Sequence, residues 1–326
     1  MSSSASMRAI GDVDSKSGIC YFVTPWRCGM EEEFVSRFNV AEEDNEALQK
    51  VADSHDVILL AFIAPYTAVR VSPVEEAYAT IGLEEEFGIE TALSAIGSKY
   101  PKDKPKMYFL VNSPGGGVTS SYKVARVLRQ YFSDIKVFVP HVAASGGTLL
   151  AIAGDEIVMG SMSHLSPLDV QARYKGMSVS TTTFVRSFDR WVKTFSTKTP
   201  NEAPYPERAM VDKLDPIVME EISGVIRASL EYVKEVLKGA GYKNAEEIAE
   251  KMVFQFGYHS RVIHRDLAQH IGLNVKRDTD YPELWEPMRN WLAKYLYEGA
   301  KTHFIRYVVP KQSKKVTETS NVKERS

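Results

Sequence analysis

The 326 residues are enough for one large α/β domain with an appendage or for two modest domains, and 44% hydrophobic with 25% charged residues is the balance of an ordinary globular chain. Forty basic residues against forty-two acidic leave a formal net charge of −2, which points away from nucleic acid or an anionic membrane as the main partner. The two cysteines, Cys20 and Cys28, make no disulfide framework and read as reduced thiols of a cytoplasmic protein.

The segment from Met1 to Met7 lacks the apolar core of a signal peptide. Residues 1–50 mix an apolar patch (Ile19 to Trp26) with acidic runs at Glu31–Glu33 and Glu42–Glu46, and are read as a partly helical N-terminal extension. The main domain, 51–275, then opens on Asp56-Val-Ile-Leu-Leu-Ala-Phe-Ile63, an apolar run of the kind expected for a strand covered on both faces. Apolar character continues to Val71, but Pro65 and Arg70 interrupt it and it is too short to span a bilayer as a helix. No membrane segment is expected.

A helix follows over Gly82 to Ile96, with Leu83, Phe87, Ala92 and Ile96 on one face. Lys106 to Val111 is the next strand and breaks into Asn112-Ser-Pro-Gly-Gly-Gly117. Ser120 to Phe132 has helical periodicity through Val124, Val127, Leu128 and Tyr131, and Ile135 to Val139 is a third strand. Ala143 to Ala153 reads as a buried helix, and Glu156 to Met159 as a fourth strand. Thr181 to Phe195, 217–238 and 244–253 are further helices, the last with Asn244 placed to cap it. Residues 276–310 read as a C-terminal helical segment, whose aromatic stretch from Tyr281 to Tyr297 suits a core or a subunit interface. The polar run 311–326 reads as a disordered tail. Strands alternating with helices predict a layered α/β architecture with a mostly parallel sheet.

Two segments carry chemistry. In Asn112-Ser-Pro-Gly-Gly-Gly117 the consecutive glycines let backbone amides approach a ligand, including the oxyanion of an acyl-transfer intermediate, although a loop that merely turns tightly has the same composition. No Gly-Lys-Ser/Thr follows, so a phosphate loop is disfavoured. In Ala143-Ala-Ser-Gly-Gly-Thr148 a serine stands at a helix start, where the Gly146 amide suits an oxyanion hole; taken alone, such a serine is more often a helix cap.

Together the two segments resemble the Clp protease proteolytic subunit and its relatives, the signal peptide peptidase A and serine dehydrogenase proteinase groups. The Asn-Ser-Pro-Gly-Gly motif, a helix, a strand and the Ala-Ala-Ser-Gly turn stand in that family's order, and the interval from Gly116 to Ser145 is the Clp-type interval without a gap. Asp155 to Met159, Ser166-Pro-Leu-Asp-Val-Gln171 and Ala245 to Val275 are similar to segments of the serine dehydrogenase proteinase group. The resemblance implies a Clp/crotonase-like fold with C-terminal helices, serine peptidase activity on peptides or proteins without a cofactor, and a homo-oligomer.

Carried over by position, Ser145 is the nucleophile and the Gly116 and Gly146 amides form the oxyanion hole. The family's triad histidine position holds Pro167, with His164 nearby but at an odd offset along the strand. A serine/lysine dyad is the chemical alternative, because a desolvated lysine can be neutral near pH 7. Lys193 and Lys198 fall in the interval where the signal peptide peptidase A group carries its lysine, and Lys175 falls short of it. Lys198 is the first choice, as a loop residue able to fold over the site, with Lys193 and His164 as alternative bases. His259 matches a histidine of the serine dehydrogenase proteinase group, with no role implied by spacing, and Asp169 is expected to hold the segment after Pro167 through backbone hydrogen bonds. His259, His264 and His270 lack a carboxylate or cysteine set, so no metal site is expected. Two other functions share the fold: an acyl-CoA enzyme of crotonase type, and a non-catalytic oligomeric scaffold that lost its base.

Overall fold

A computed structural model describes residues 40–64, 80–100, 104–174, 177–197, 201–202, 204–211, 215–296 and 303–311. Strand β1 (Val40–Glu42) leads into helix α1 (Glu46–His55), which Asn45 caps by accepting the Leu48 amide at 3.1 Å. The boundary expected at residue 50 therefore falls inside a helix that buries Leu48, Val51 and Ala52.

Strand β2 (Val57–Ile63) is buried along its whole length. Its even residues Ile58, Leu60 and Phe62 enter one core and its odd residues Leu59, Ala61 and Ile63 another, as two-residue alternation in a doubly covered strand requires. Helix α2 (Leu83–Lys99), β3 (Lys106–Asn112), α3 (Val118–Tyr131), β4 (Asp134–Val139), the short β5 (Val142–Ala143), α4 (Gly146–Ala151), β6 (Glu156–Met159) and the short β7 (His164–Leu165) follow. A hairpin of β8 (Gln171–Tyr174) and β9 (Met177–Ser180) precedes α5 (Thr181–Ser196), α6 (Tyr205–Val211) and α7 (Pro216–Gly239). Asp215 caps α7 from a position followed by proline, accepting the Ile217 amide at 2.9 Å. Helix α8 (Ala245–Glu250) runs into a π turn (Lys251–Gln255), then α9 (Arg265–Ile271), β10 (Val275–Arg277), α10 (Pro282–Leu296) and β11 (Phe304–Val308) complete the described chain. Asn244 stands at the start of α8 but its side chain makes no capping bond.

The main sheet has the order β1-β11-β2-β3-β4-β6-β10, and every neighbouring pair is parallel except β11 with β2. The mostly parallel layered architecture expected from the sequence is present. One layer packs α2, α3, α4 and α7 on the sheet, and the other packs α1 and α10 on its opposite face. Trp285, Trp291 and Leu292 are buried in that second layer, so the aromatic stretch of α10 is core.

Two readings are corrected. Residues 276–310 supply a strand as well as a helix: β11 lies between β1 and β2, with Ile305 and Tyr307 in one core and Phe304 and Val308 in the other. Arg306 at the centre of Phe304–Val308 breaks the apolar run by which a strand covered on both faces, such as β2, is recognised. In α2, Leu83 and Phe87 are 57% and 50% exposed, while Glu85, Ile89, Ala92, Leu93 and Ile96 face inward. Glu85 turns inward, accepting the part-buried Gly82 amide and facing the buried His303. The tail 312–326 lies outside the described residues. Among the described residues no helix is long and apolar enough to cross a membrane.

Candidate active site

The two motif loops leave the C-terminal ends of β3 and β4, the edge where open α/β sheets place their ligands. Backbone bonds zip them together: the Ser113 amide donates to Val142 O at 3.0 Å and the Ala144 amide to Ser113 O at 2.9 Å. Asn112 fastens the start of the loop, its Nδ2 donating to Ala64 O at 2.9 Å. Ile81 clamps the glycines from the other side, donating to Gly115 O at 2.9 Å and accepting from the Gly117 amide at 2.8 Å. Gly115 has φ 101°, and a Cβ there would lie 2.5 Å from Ala144 O and 2.8 Å from the Gly146 amide nitrogen. No side chain fits between the loops.

Ser145 has φ 50° and ψ −119°, and apart from glycines only it and Asp56 have positive φ among the described residues. Such a backbone is unfavourable by about 1–3 kcal/mol and persists only where the surroundings over-determine it. They do so here. The Ser145 amide donates to Ser166 Oγ at 2.7 Å, and the Gly147 and Leu149 amides donate to Ala144 O and Ser145 O at 2.7 and 3.1 Å. Thr148 Oγ1 donates to Ala143 O at 2.7 Å and accepts the Ser166 amide at 3.0 Å. A serine at a strained strand-to-helix turn has its Oγ lifted clear of the fold. Ser145 is accordingly half-buried while Gly146 to Ala151 are fully buried, and its Oγ bonds to none of the described residues.

Two amides beside it are also uncommitted. Among the described residues, neither the Gly116 nor the Gly146 N–H has an acceptor. They lie close together, since a Cβ on Gly146 would be 3.1 Å from the Gly116 nitrogen and 2.2 Å from Ser121 Oγ. Two donors without acceptors beside a half-exposed hydroxyl are an arrangement able to receive an anionic oxygen.

The expected bases are distributed differently. Lys198, like Lys175, lies outside the described residues, and Lys193 is exposed on α5. His164 sits on β7 with its ring 6.3 Å from that of His141, and no described hydrogen bond joins it to Ser145. Burial, with His141 as a second cause, lowers its pKa from the ordinary histidine value. Pro167 is buried.

A pair that the sequence reading did not join includes Asp169, on the segment that holds Ser145. Asp169 Oδ1 meets His259 Nδ1 at 2.9 Å, with the Asp169 side chain fully buried and that of His259 20% exposed. The expectation that Asp169 bonds backbone is corrected: its carboxylate partner is an imidazole, and its Oδ2 is buried without a partner among the described residues. Asp169 is three residues beyond Ser166, whose Oγ receives the Ser145 amide. His259 lies between Met252 and Ile263, both bonded to the same segment: Leu168 N–H donates to Met252 O at 2.9 Å, and Leu165 and Ile263 exchange bonds of 3.0 and 2.9 Å. With Nδ1–H directed at the carboxylate, Nε2 remains as an acceptor.

A family model of ClpP-like SDH-type serine proteinases matches residues 77–321. The chain belongs to this family. An uncharacterised protein of Methanocaldococcus jannaschii is 27% identical to this chain over 238 residues, covering 72% of it and 74% of the relative. A second uncharacterised protein of the same organism is 27% identical over 177 residues, covering 54% of this chain and 53% of its own length. A solved membrane-bound stomatin-specific protease aligns at 14% identity with a TM-score of 0.41, over 64% of this chain and 79% of that one.

The pairing of Asp169 with His259 had no signal in spacing, since the two are 90 residues apart. His264, one of the other histidines considered, receives the Leu267 amide at the start of α9. Among the described residues no group of three or more His, Cys, Asp or Glu is placed to hold a metal.

Proposed function

We propose that this chain hydrolyses peptide bonds through an acyl-enzyme on Ser145. The observation that carries the reading is the convergence of two acceptor-free amides, Gly116 and Gly146, beside a serine held at positive φ. In the reaction Ser145 Oγ attacks the substrate carbonyl carbon, and the two amides donate to the oxygen as it gains negative charge. His259 Nε2 takes the hydroxyl proton, and Asp169 holds the ring and stabilises the imidazolium. The proton passes to the leaving amine, and water attacks the acyl-enzyme by the same route.

The substrate in this reading is a peptide or protein, no cofactor takes part, and the site works in the cytoplasm within a homo-oligomer. The half-exposed apolar pair Phe188 and Val192 on α5 supports self-association. Light scattering at micromolar concentration tests it, and a monomeric mass overturns it.

The decisive kinetic comparison uses the full chain and its Ser145→Ala, His259→Ala, Lys198→Ala, Lys193→Ala and His164→Ala variants on an unstructured protein substrate. Loss of turnover in the first two alone supports the reading. Loss in a lysine variant with His259→Ala active assigns the base to a serine/lysine dyad instead. Turnover of an acyl-CoA thioester in place of peptide assigns a crotonase-type reaction, and no turnover of either in the unaltered chain assigns a scaffold.

A further inference from the structure

The glycine loop is also held by buried side chains that the proposed reaction does not use. Ser113 Oγ accepts the Gly115 amide at 3.0 Å and lies 2.9 Å from His303 Nε2. His303 Nδ1 lies 3.3 Å from Glu85 Oε1, and Glu85 Oε2 accepts the Gly82 amide at 2.7 Å. Ser113, His303 and Glu85 are 0%, 5% and 7% exposed, and the imidazole stacks on Phe62 at 4.5 Å between centroids. They come from the loop after β3, the residue preceding β11 and the first turn of α2.

Serine, histidine and carboxylate stand here in the order of a proton relay. Ser113 is nevertheless no nucleophile, because its Oγ is inaccessible and already receives a backbone amide. The relay has a different consequence. The Glu85 carboxylate accepts Nδ1–H, which leaves Nε2 to accept the Ser113 hydroxyl proton. The Ser113 O–H is thereby committed to His303, and an Oγ lone pair is turned to the Gly115 N–H. Gly115 is then tied at both its amide and its carbonyl, the latter by Ile81, and Gly117 is tied to Ile81 as well. Of the three glycines in the loop, only Gly116 keeps an amide with no acceptor among the described residues. Glu85 closes the ring, since the Gly82 it caps follows Ile81 directly.

We propose that His303 is a positioning residue: with Glu85 and Ser113 it fixes the 113–117 loop so that the Gly116 amide faces the reacting carbonyl. Docking of β11 beside β2 thereby conditions the chemical step at a serine that β11 does not reach. The proposal rests on the reading of Ser145 as nucleophile and Gly116 as oxyanion donor.

The test uses the full chain with Ser113→Ala and with His303→Phe, which keeps the ring on Phe62 and removes both nitrogens. Acylation of Ser145 by a fluorophosphonate, kcat and KM on a peptide ester, and the thermal midpoint are measured together. Misplacing one oxyanion donor lowers both acylation rate and kcat, by about 10²-fold, with KM unchanged. A raised KM with kcat intact, or acylation at the unaltered rate in variants whose thermal midpoints show them folded, overturns the proposal. Should either variant fail to fold, Glu85→Gln carries the same comparison, because its amide oxygen still caps Gly82 while the anion facing His303 is gone. An unaltered chain that takes no label on Ser145 overturns the acyl-enzyme reading itself. A labelled unaltered chain with equally labelled variants overturns only the role of His303.

Discussion

In the proposed reaction, the oxyanion side and the base side of the site are built on opposite plans. Residues 112–117 and 142–147 are zipped by backbone bonds, clamped by Ile81, braced by the Glu85–His303–Ser113 relay and, apart from the exposed Gly117, buried or half-buried. His259 instead sits on an irregular turn between a π turn and α9, partly exposed, with one buried carboxylate to orient it. Donors that must match a developing charge gain from rigidity, because no reorganisation is then needed at the moment of reaction. A base must swing its proton from hydroxyl to leaving group, and a ring fixed at one nitrogen keeps that freedom at the other.

The contrast can be broken one group at a time. Ser145→Ala removes the attacking atom from a turn whose shape is set by backbone bonds, so turnover should fall by about 10⁶-fold while the thermal midpoint stays put. A midpoint that collapses with activity would mean the hydroxyl is structural. Asp169→Asn should cost about 10⁴-fold in kcat, because the amide favours the wrong imidazole tautomer while filling the same volume. Rate measurements in which Asp169→Asn matches the unaltered chain would detach His259 from the chemistry. Gly146→Ala tests the rigid side: its methyl would stand 2.2 Å from Ser121 Oγ, and the displaced loop should lower kcat by about 10²-fold with KM little changed. His164→Ala should have the smallest effect, leaving kcat/KM and its pH profile unaltered, because the ring faces His141. A lost acid limb in that variant would return His164 to the site.

The same contrast explains what the sequence discloses. The rigid side is contiguous: Asn112-Ser-Pro-Gly-Gly-Gly117 and Ala143-Ala-Ser-Gly-Gly-Thr148 each carry their own chemistry, and the strands before them are apolar runs long enough to recognise. The central strands and their helices were legible for the same reason. The base side is assembled from Asp169 and His259, far apart in the chain and each unremarkable alone, so only the pairing of Leu165 with Ile263 and of Leu168 with Met252 brings them together. Strand β11 was hidden because Arg306 interrupts its apolar run, and the inward turn of α2 by Glu85, a charged residue whose partner His303 lies 218 positions away. Lys198, favoured as the loop lysine within the expected interval, lies outside the described residues, so its place rests on kinetics.

The central claim is that Ser145 is a nucleophile supported by the Gly116 and Gly146 amides, and fluorophosphonate labelling of the full chain with mass mapping of the adduct tests it most directly. The account predicts a single phosphonyl group on Ser145, formed far faster than on a free serine and slowed in Gly146→Ala. A label on another residue, or a rate at Ser145 no faster than that of a free serine, would contradict it.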